Sequence, residues 1–360
     1  MSLPPKNLLP CILGFVLAFA TVAWAPVAAA ALPKVRVENI RRVVATEGVH
    51  NAFTDLIRWK GKYWLAFRSS TIGHVVNSQS AAVIMCSDDT KTWKEAYRFS
   101  VKERDTRDPH FMVLGDKLFV YSGTAHVGKE EKRYTDWNAH LGYATWTTDG
   151  TTWATPQALE GTYGHYVWRA ASYGGKGYLC ARRWHAHNAV PDRDFTTMEA
   201  ALLESDDGLH WRFVSFLQET QGNETALLFQ PDGELIAYSR AGLKGSGSSV
   251  LSRSKPPYEK WTRQELDVYT GGPVLAHWGK RIVMGGRDKV GDSYRTGFNW
   301  VEGTKVIPFI QLPSGGDNSY PGFVQLDDGR ALISWYSSHE KGADGKPLSA
   351  IYLAELAIEK

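Results

Sequence analysis

The sequence has little cysteine, little net charge and few long apolar segments. Of its 360 residues only 3 are cysteine, and 41 basic residues exceed 38 acidic ones by 3. So small a surplus gives no reason to expect nucleic acid or an anionic membrane as a partner. Beyond the N-terminal stretch only Cys86 and Cys180 remain, and they fall in different repeats of the pattern described below, so free thiols are expected. No segment after residue 31 is long and apolar enough to cross a bilayer.

The first 31 residues have the pattern of an export signal. A single lysine precedes an almost wholly apolar stretch from Leu8 to Ala20, and the alanines at 28–31 offer small-residue cleavage sites. The stretch is short and contains Pro10, which favours a cleaved signal over a membrane anchor. We therefore expect a mature domain of residues 32–360 that is periplasmic or secreted, with no stable membrane insertion after signal removal.

The sequence is instead rich in aromatic residues and glycine. It contains 14 Trp, 16 Tyr and 34 Gly, while its 43% hydrophobic and 22% charged residues are ordinary for a globular protein and exclude a disordered chain. The length allows one large domain or two of average size. Many aromatics with many glycines favour an all-β protein with tight turns, of a kind that handles sugars.

One pattern recurs six times along the chain: a short apolar strand, a tight turn with glycine and a second apolar strand. Asp-Gly and Gly-Lys pairs between such strands indicate hairpins, because their primed turns need a positive φ. The intervals between successive turn glycines lie between 46 and 62 residues. The turn glycines are Gly61, Gly115, Gly177, Gly233, Gly279 and Gly329.

A second motif, Ser/Thr-x-Asp-x-x-x-Trp, follows three of the hairpins. It occupies residues 87–93, 147–153 and 205–211, so its tryptophans are 60 and 58 residues apart. The short polar side chains can close the turn on their own backbone, and the tryptophan can cap the neighbouring hydrophobic layer. A constant spacing of this kind indicates a structural repeat.

Repeats of this length, each with two hairpins, match the blades of a propeller. The sequence therefore predicts an all-β fold, a six-bladed β-propeller. Residues 35–44 have no hairpin partner, so we expect this N-terminal strand to complete the sixth blade beside residues 351–356 and to close the ring. Closure removes exposed sheet edges. A β-sandwich is the alternative, but it would not explain the constant period.

These turns, together with Asn223-Glu224-Thr225, Tyr238-Ser239-Arg240 and Tyr320 upstream of an Asp-Gly turn, resemble the sialidase-like (Asp-box, or BNR) propeller superfamily. The resemblance covers most of the predicted mature chain and implies a glycoside hydrolase. It also implies that Glu224 and Tyr320 form the catalytic couple and that Arg240 binds a carboxylate. A neutral phenol deprotonated by a buried Glu can attack an anomeric carbon that bears a carboxylate, where an ionised Asp would be repelled. The alternatives are a structural Glu224–Arg240 salt bridge and a wall position for Tyr320.

Arginine ends the second strand in four of the six repeats, at Arg68, Arg182, Arg240 and Arg287. A repeated register would place several guanidinium groups on one rim, where their planar forks fit a carboxylate. The alternative is that each arginine pairs with an acidic neighbour between blades. The candidates for substrate binding are Arg68, Arg107, Arg169, Arg240, Arg287 and Trp168.

The sequence departs from the superfamily at the first blade. An Arg-Ile-Pro triplet is replaced by Asn51-Ala52-Phe53, and the loop of residues 69–80, which would carry an acid catalyst, has no acidic residue. Its one titratable group is His74, which could supply the proton. Asp55 and Asp108 are rival donors, and Pro109 predicts an extended backbone at Asp108.

Three functions remain open from the sequence. The first is an exported, sialidase-like exo-glycosidase that hydrolyses a terminal acidic sugar, sialic or uronic acid, from a glycan. The second is a polysaccharide lyase acting on a uronate-containing glycan, and the third is a non-catalytic sugar-binding propeller. His185-Ala186-His187 lacks a third ligand at a recognisable metal-ligand spacing. No metal or other cofactor is expected, and the expected partner is an acidic glycan.

Overall fold

The computed structural model describes residues 1, 32–127, 137–185, 195–240 and 248–359. The chain divides into two compact units, Met1–Pro33 and Lys34–Lys360, and every strand belongs to the second. The predicted export signal lies, apart from Met1, outside the described residues. Among the residues that are described, none forms a helix with the length and apolarity needed to span a membrane.

The first strand, β1 (Val35–Val44), is followed by three complete four-stranded antiparallel sheets. Blade 1 consists of β2 (His50–Trp59), β3 (Lys62–Ser70), β4 (Ser80–Ser87) and β5 (Lys94–Phe99). Blade 2 consists of β6 (Arg104–Leu114), β7 (Lys117–His126), β8 (Leu141–Thr147) and β9 (Gln157–Ala158). Blade 3 consists of β10 (Tyr166–Tyr173), β11 (Lys176–Trp184), β12 (Met198–Ser205) and β13 (Arg212–Gln218).

Three further sheets complete the fold. Blade 4 consists of β14 (Thr225–Phe229), β15 (Leu235–Ser239), β16 (Ser249–Ser254) and β17 (Thr262–Leu266). Blade 5 consists of β18 (Thr270–Trp278), β19 (Arg281–Val290), β20 (Ser293–Glu302) and β21 (Lys305–Gln311). Blade 6 consists of β22 (Asn318–Gln325), β23 (Ala331–Lys341), β24 (Pro347–Ile358) and β1. Short 3₁₀ helices lie at Trp137–Ala139 and Phe195–Thr197.

The six sheets form a closed ring, so the predicted six-bladed β-propeller is confirmed. The first strands of successive blades contact one another in the order β2, β6, β10, β14, β18 and β22, and β22 contacts β2 again. The N-terminal strand closes the ring as predicted, because β1 pairs with β24 from Val35 opposite Ile358 to Val44 opposite Ile351. Closure leaves the two ends of this unit hydrogen-bonded in one sheet.

The hydrophobic core lies between neighbouring blades. Bulky side chains such as Trp64, Trp300 and Trp335 are almost completely buried, and burying an aromatic side chain is a major source of stability. Cys180 lies in this core, where its Sγ donates to the Thr225 carbonyl oxygen over 2.6 Å. Both Cys86 and Cys180 are free thiols, as expected.

The three Ser/Thr-x-Asp turns connect the third and fourth strands of blades 1, 2 and 3. In the third turn, Asp207 Oδ1 accepts hydrogen bonds from the backbone N–H groups of Leu209 (2.8 Å) and His210 (2.9 Å). The tryptophans of the second and third turns pack on the preceding blade: Trp153 stacks on Tyr97 with ring centroids 5.3 Å apart, and Trp211 packs edge-on against Tyr121 at 5.7 Å. The turns therefore lock adjacent blades together at the periphery, away from the axis.

Five of the six innermost strands contain a β-bulge at the same height. The pairing with the second strand shifts by one residue in β2, β6, β10, β18 and β22, whereas β14 pairs without a shift. Residues in the bulges of four blades have positive φ, namely Phe53 (61°), Asp108 (49°), Gly272 (58°) and Tyr320 (50°). Such angles are uncommon outside glycine, and bulges often redirect side chains beside functional sites. The sequence prediction of an extended backbone at Asp108 is therefore wrong.

Candidate active site

The N-terminal ends of the innermost strands bring together an acid, a phenol and several guanidinium groups. The Tyr320 hydroxyl donates a 2.8 Å hydrogen bond to Glu224 Oε1. Glu224 directly precedes β14, and Tyr320 lies in the β22 bulge, so the two residues come from blades 4 and 6. Both are buried. We call Glu224, Tyr320, Arg240, Arg287 and Asp108 the axial site.

The Glu224 carboxylate is held in its ionised form. Its Oε2 accepts hydrogen bonds from Arg240 Nη1 (2.7 Å) and from the backbone N–H of Gly272 (2.9 Å), and Arg182 Nη1 lies 3.8 Å from Oε1. Burial alone would raise the pKa of Glu224, but Arg240 and Arg182 outweigh it and lower this pKa to about 2. Glu224 is therefore ionised near neutral pH, which is the form that a proton acceptor requires.

Tyr320 is a neutral phenol in contact with a second guanidinium group. Burial and the neighbouring Glu224 charge raise the pKa of Tyr320 well above its ordinary value, although Arg240 and Arg287 oppose this. The Arg287 guanidinium carbon lies 5.3 Å from the centre of the Tyr320 ring. Trp168 packs edge-on against the same ring at 5.4 Å and is buried, so it supports Tyr320 from within the core.

Asp108 is a buried carboxyl group with only one of its two oxygens hydrogen-bonded within the described residues. Its Oδ2 accepts a hydrogen bond from the Tyr166 hydroxyl, whereas its buried Oδ1 has no hydrogen-bond partner among the described residues. Burial raises the pKa of Asp108, and Glu224 raises it further, while Arg107 and Tyr166 oppose the shift. Asp108 also acts electrostatically on Tyr320. It is therefore the described carboxyl group of this region that best fits a proton donor.

Arg107 lies beside Asp108 and faces the first blade. Its Nη1 donates to Asp105 Oδ2 over 3.0 Å, and its guanidinium carbon lies 5.0 Å from the centre of the Phe53 ring. Phe53 stands in the place of the arginine triplet that the sequence lacks. Arg107 acts electrostatically on Tyr320, so it adds a further positive charge to those of Arg240, Arg287 and Arg182.

Asp55 and Arg169 form a buried ion pair that joins blades across the axis. Arg169 donates to Asp55 Oδ1 (2.8 Å) and to the carbonyl oxygens of Pro273 (2.6 Å) and Pro321 (2.7 Å), which belong to blades 1, 5 and 6. Burial alone would raise the pKa of Asp55, but Arg169 and His110 outweigh it, so the net pKa is lowered. Both residues are used internally, which does not fit proton donation by Asp55 or substrate binding by Arg169.

Arg68 is also used internally. Its side chain is fully buried, its Nε donates to Asp105 Oδ1 over 3.0 Å, and its Nη1 donates to the Gly73 carbonyl oxygen over 3.0 Å. Asp105 is in blade 2, whereas Arg68 is in blade 1. Arg68 therefore pairs with an acidic residue of the neighbouring blade, which is the alternative to substrate binding that the sequence allowed. Of the four arginines that the sequence places at one register, Arg240 and Arg182 lie against Glu224, and Arg287 lies against Tyr320. Arg68 instead supports the loop that carries His74.

His74 lies at the edge of this region, half exposed, and is bound to Asp317. Asp317 Oδ2 accepts hydrogen bonds from His74 Nδ1 (2.6 Å) and His50 Nε2 (2.9 Å). Its other oxygen, Oδ1, accepts hydrogen bonds from Arg287 and from the Tyr336 hydroxyl. Burial alone would raise the pKa of Asp317, but the hydrogen bonds from His50 and His74 outweigh it and lower this pKa strongly. The carboxylate thus holds both His74 and Arg287 in place.

His50, His74 and Asp317 are the one set of three candidate metal ligands that the described residues contain, with ligand atoms within 4.8 Å of one another. Two guanidinium groups are close to this set. Arg287 Nη2 lies 3.2 Å from Asp317 Oδ1, and Arg68 Nη1 lies 3.4 Å from His50 Nδ1. Positive charges at these distances oppose a cation, so the cluster fits a hydrogen-bonded carboxylate better than a metal centre.

Three contributors to this region were not chosen from the sequence as site residues: Asp317, Tyr166 and Arg182. A weak signal was available for each, since Tyr166 begins β10, Asp317 directly precedes β22 and Arg182 shares the repeated arginine register. Their partners come from other blades, however, and pairings of this kind cannot be read from one repeat.

Solved structures with the same fold include sialidases. A sialidase of Trypanosoma rangeli in complex with sialic acid is 14% identical with a TM-score of 0.63, and the match covers 87% of this chain and 54% of the other. The endosialidase of phage phi92 is 11% identical (TM-score 0.64, 90% and 69% covered). The NanB sialidase of Streptococcus pneumoniae is 10% identical (TM-score 0.64, 88% and 70% covered).

The chain spans about half the length of the trypanosomal enzyme. No protein-family model matches the sequence, and no curated protein does either. At these identities the similarity establishes a sialidase-like six-bladed propeller fold.

Proposed function

We propose that this protein is an exported glycoside hydrolase that removes a terminal acidic sugar, sialic or uronic acid, from a glycan. The observation that carries the proposal is the 2.8 Å hydrogen bond between Tyr320 and an ionised Glu224, set beside Arg240 and Arg287. The sialic acid bound by the trypanosomal structure is consistent with such a substrate. Export rests on the N-terminal sequence alone.

Arg240 and Arg287 bind the substrate carboxylate in this proposal, and Arg107 adds a third positive charge. Guanidinium groups suit this task because their planar forks bind a carboxylate bidentately. Binding of the substrate also raises the pKa of Glu224, the proposed base. A substrate carboxylate competes with Glu224 for the Arg240 guanidinium, which weakens the interaction that lowers the pKa of Glu224 and makes Glu224 a stronger base.

The reaction proceeds through a covalent intermediate. Tyr320 Oη attacks the anomeric carbon while its proton passes to Glu224, and the glycosidic C–O bond breaks as Asp108 protonates the leaving oxygen. Water then attacks the same carbon and its proton passes to Asp108, while the bond between that carbon and Tyr320 Oη breaks and Glu224 returns its proton to the departing phenolate. Retention of the anomeric configuration follows from the two displacements.

The substrate class is tested by incubating the purified protein with chromogenic sialosides and uronides and with acidic oligosaccharides. From the acidic oligosaccharides we expect release of one free acidic sugar, detected by NMR, with no new ultraviolet absorbance. An unsaturated product that absorbs in the ultraviolet would instead identify a lyase. Binding of an acidic glycan without turnover at any pH would identify a sugar-binding propeller, and both outcomes contradict the proposal.

Asp108→Asn tests the proton donor. Loss of the donor should lower kcat/KM for an alkyl-linked substrate by about 10²–10⁴-fold, and it should matter far less for an aryl glycoside, whose leaving group needs no proton. Because burial raises the pKa of Asp108, the alkaline limb of the pH profile should lie above the ordinary aspartate range and disappear in the variant.

His74→Gln is the matched control for Asp108→Asn. His74 is the rival donor from the first-blade loop, and its side chain is half exposed, so the glutamine should leave folding intact. We expect both substrate types to react within a few-fold of the wild type. A leaving-group-dependent loss in His74→Gln, with none in Asp108→Asn, would transfer the role to the histidine.

A further inference from the structure

A cavity of about 560 Å³ lies beside the axial site at the junction of blades 4 and 5. It is lined by the segment that enters β18, by the end of β19 and by one face of β21. Its volume falls in the range of roughly 300–1,000 Å³ that small-molecule sites occupy. The residues that matter for the argument are Tyr269, Thr270, Asp288, Asn299 and Gln311.

Tyr269 and Thr270 place the cavity next to the axial site. Tyr269 lines the cavity on one side, and the Arg240 guanidinium carbon lies 5.5 Å from the centre of its ring. Thr270 also lines the cavity, and two residues further along β18 the Gly272 N–H donates to Glu224. Two neighbouring positions of one strand entry therefore contribute to the cavity and to the axial site.

The chemistry of the cavity differs from that of the axial site. The described residues that line it include no arginine, and their charged groups are two carboxylates, Asp267 and Asp288, and one basic group, Lys289. An anionic sugar would therefore be disfavoured there, whereas the axial site, with its guanidinium groups, favours one. The remaining polar lining consists of hydroxyl and amide groups, which form hydrogen bonds with neutral sugar hydroxyls.

Asp288 is the central acceptor of the cavity. Its Oδ1 accepts from the Thr270 hydroxyl over 2.7 Å, and its Oδ2 from Asn299 Nδ2 over 3.3 Å. A carboxylate has about four lone-pair positions, so these two bonds leave capacity for ligand hydroxyls. Tyr269 adds an aromatic ring to the wall. An aromatic face with a carboxylate and amides is suited to a pyranose.

We propose that this cavity is a second subsite, which binds a neutral sugar residue of the same glycan whose acidic unit occupies the axial site. This inference rests on the proposed function in that it assigns a glycan to both sites. It implies that the protein prefers oligosaccharides over aryl glycosides, because only the former place a sugar ring in the cavity.

Gln311→Trp is the principal test, since Gln311 is exposed on β21 and lines the cavity, so that an indole fills the space without disturbing the core. Lys305→Trp is the matched control, because Lys305 is exposed on the same strand and is not among the lining residues. Asp288→Asn keeps the side-chain shape but removes the charged acceptor. Circular dichroism and melting curves check that all variants fold.

Binding is measured without turnover, by titration and saturation-transfer NMR with lactose, N-acetyllactosamine, cellobiose and maltose. We expect at least one of these to bind the wild type and Lys305→Trp equally, to bind Asp288→Asn about tenfold more weakly, and not to bind Gln311→Trp. Failure of all four to bind the wild type, or equal binding to Gln311→Trp, would overturn the subsite.

Kinetics provide the second arm. If sialyl-lactose is cleaved, Gln311→Trp should raise its KM about tenfold or more with kcat little changed, while the aryl sialoside keeps its wild-type KM. Unchanged KM for sialyl-lactose would also overturn the subsite. If no acidic glycoside is cleaved but the disaccharide binding pattern holds, the proposed function fails and the subsite stands.

Discussion

Tyr320→Phe should lower kcat on the cleaved acidic glycoside by roughly 10³-fold or more, since it removes the nucleophilic oxygen and leaves the ring in place. The phenol is buried between Trp168 and the Arg287 guanidinium, so phenylalanine fits the same space and binding should persist. KM should therefore change much less than kcat. Stopped assays at high enzyme concentration, with NMR detection of the released sugar, can measure a kcat that is lower by this factor.

Glu224→Gln tests the other half of the couple. The amide keeps the shape but cannot take the Tyr320 proton, so a loss of about 10²–10⁴-fold is expected. Because the two groups act as a unit, the double variant should be little worse than Tyr320→Phe alone. Additive losses would show that they act separately.

Tyr336→Phe is the control phenol for Tyr320→Phe. Its ring centroid lies 6.0 Å from that of Tyr320, but its hydroxyl donates to Asp317 rather than to Glu224. We expect at most a modest effect, through the position of Arg287. Full activity in Tyr320→Phe, or an equal loss in Tyr336→Phe, would contradict the nucleophilic role.

The fold could be predicted because its signals are local and repeated. Turn glycines at regular intervals indicate hairpins, and the unpaired Val35–Val44 strand indicates how the ring closes. The same hairpin pattern recurs in every blade, so a wrong assignment in one repeat can be recognised by comparison with the others. The same logic predicted that arginines from several blades would reach one end of the axis.

The details of the site depend on contacts between blades, which a single repeat does not encode. Arg68 occupies the same register as Arg240, yet Asp105 of the next blade binds it and buries it. Likewise, Arg169 reaches across the axis to Asp55. Whether an arginine faces a ligand or a neighbouring acid is decided by residues distant in sequence.

The bulges explain a further difference. Asp108-Pro109, Gly272-Pro273 and Tyr320-Pro321 each place proline within an inner strand, and proline in a sheet is typical of edges and bulges. The recurrence of such an X-Pro pair in three inner strands is the sequence feature from which these bulges could have been predicted. Interpreted as a local preference alone, Pro109 predicted an extended Asp108, whereas tertiary packing holds the residue at a positive φ.

The Asp55–Arg169 pair should be the most sensitive point for stability. Arg169→Leu would leave Asp55 buried and ionised without its partner, and breaking a buried ion pair in this way costs about 3–5 kcal/mol. It would also leave the carbonyl oxygens of Pro273 and Pro321 without their donors. Since these groups belong to blades 1, 3, 5 and 6, the loss should lower the free energy of unfolding of the whole ring.

Denaturant unfolding followed by tryptophan fluorescence measures this loss, with Arg58→Leu as the control. Arg58 also pairs with an aspartate from another blade, Asp327, but both groups are largely exposed, so the control should cost little. Replacing both partners, as Asp55→Leu with Arg169→Leu, removes the unpaired charge and should recover part of the stability. Equal denaturant midpoints of unfolding for Arg169→Leu and Arg58→Leu would mean that the Asp55–Arg169 ion pair does not hold the blades together.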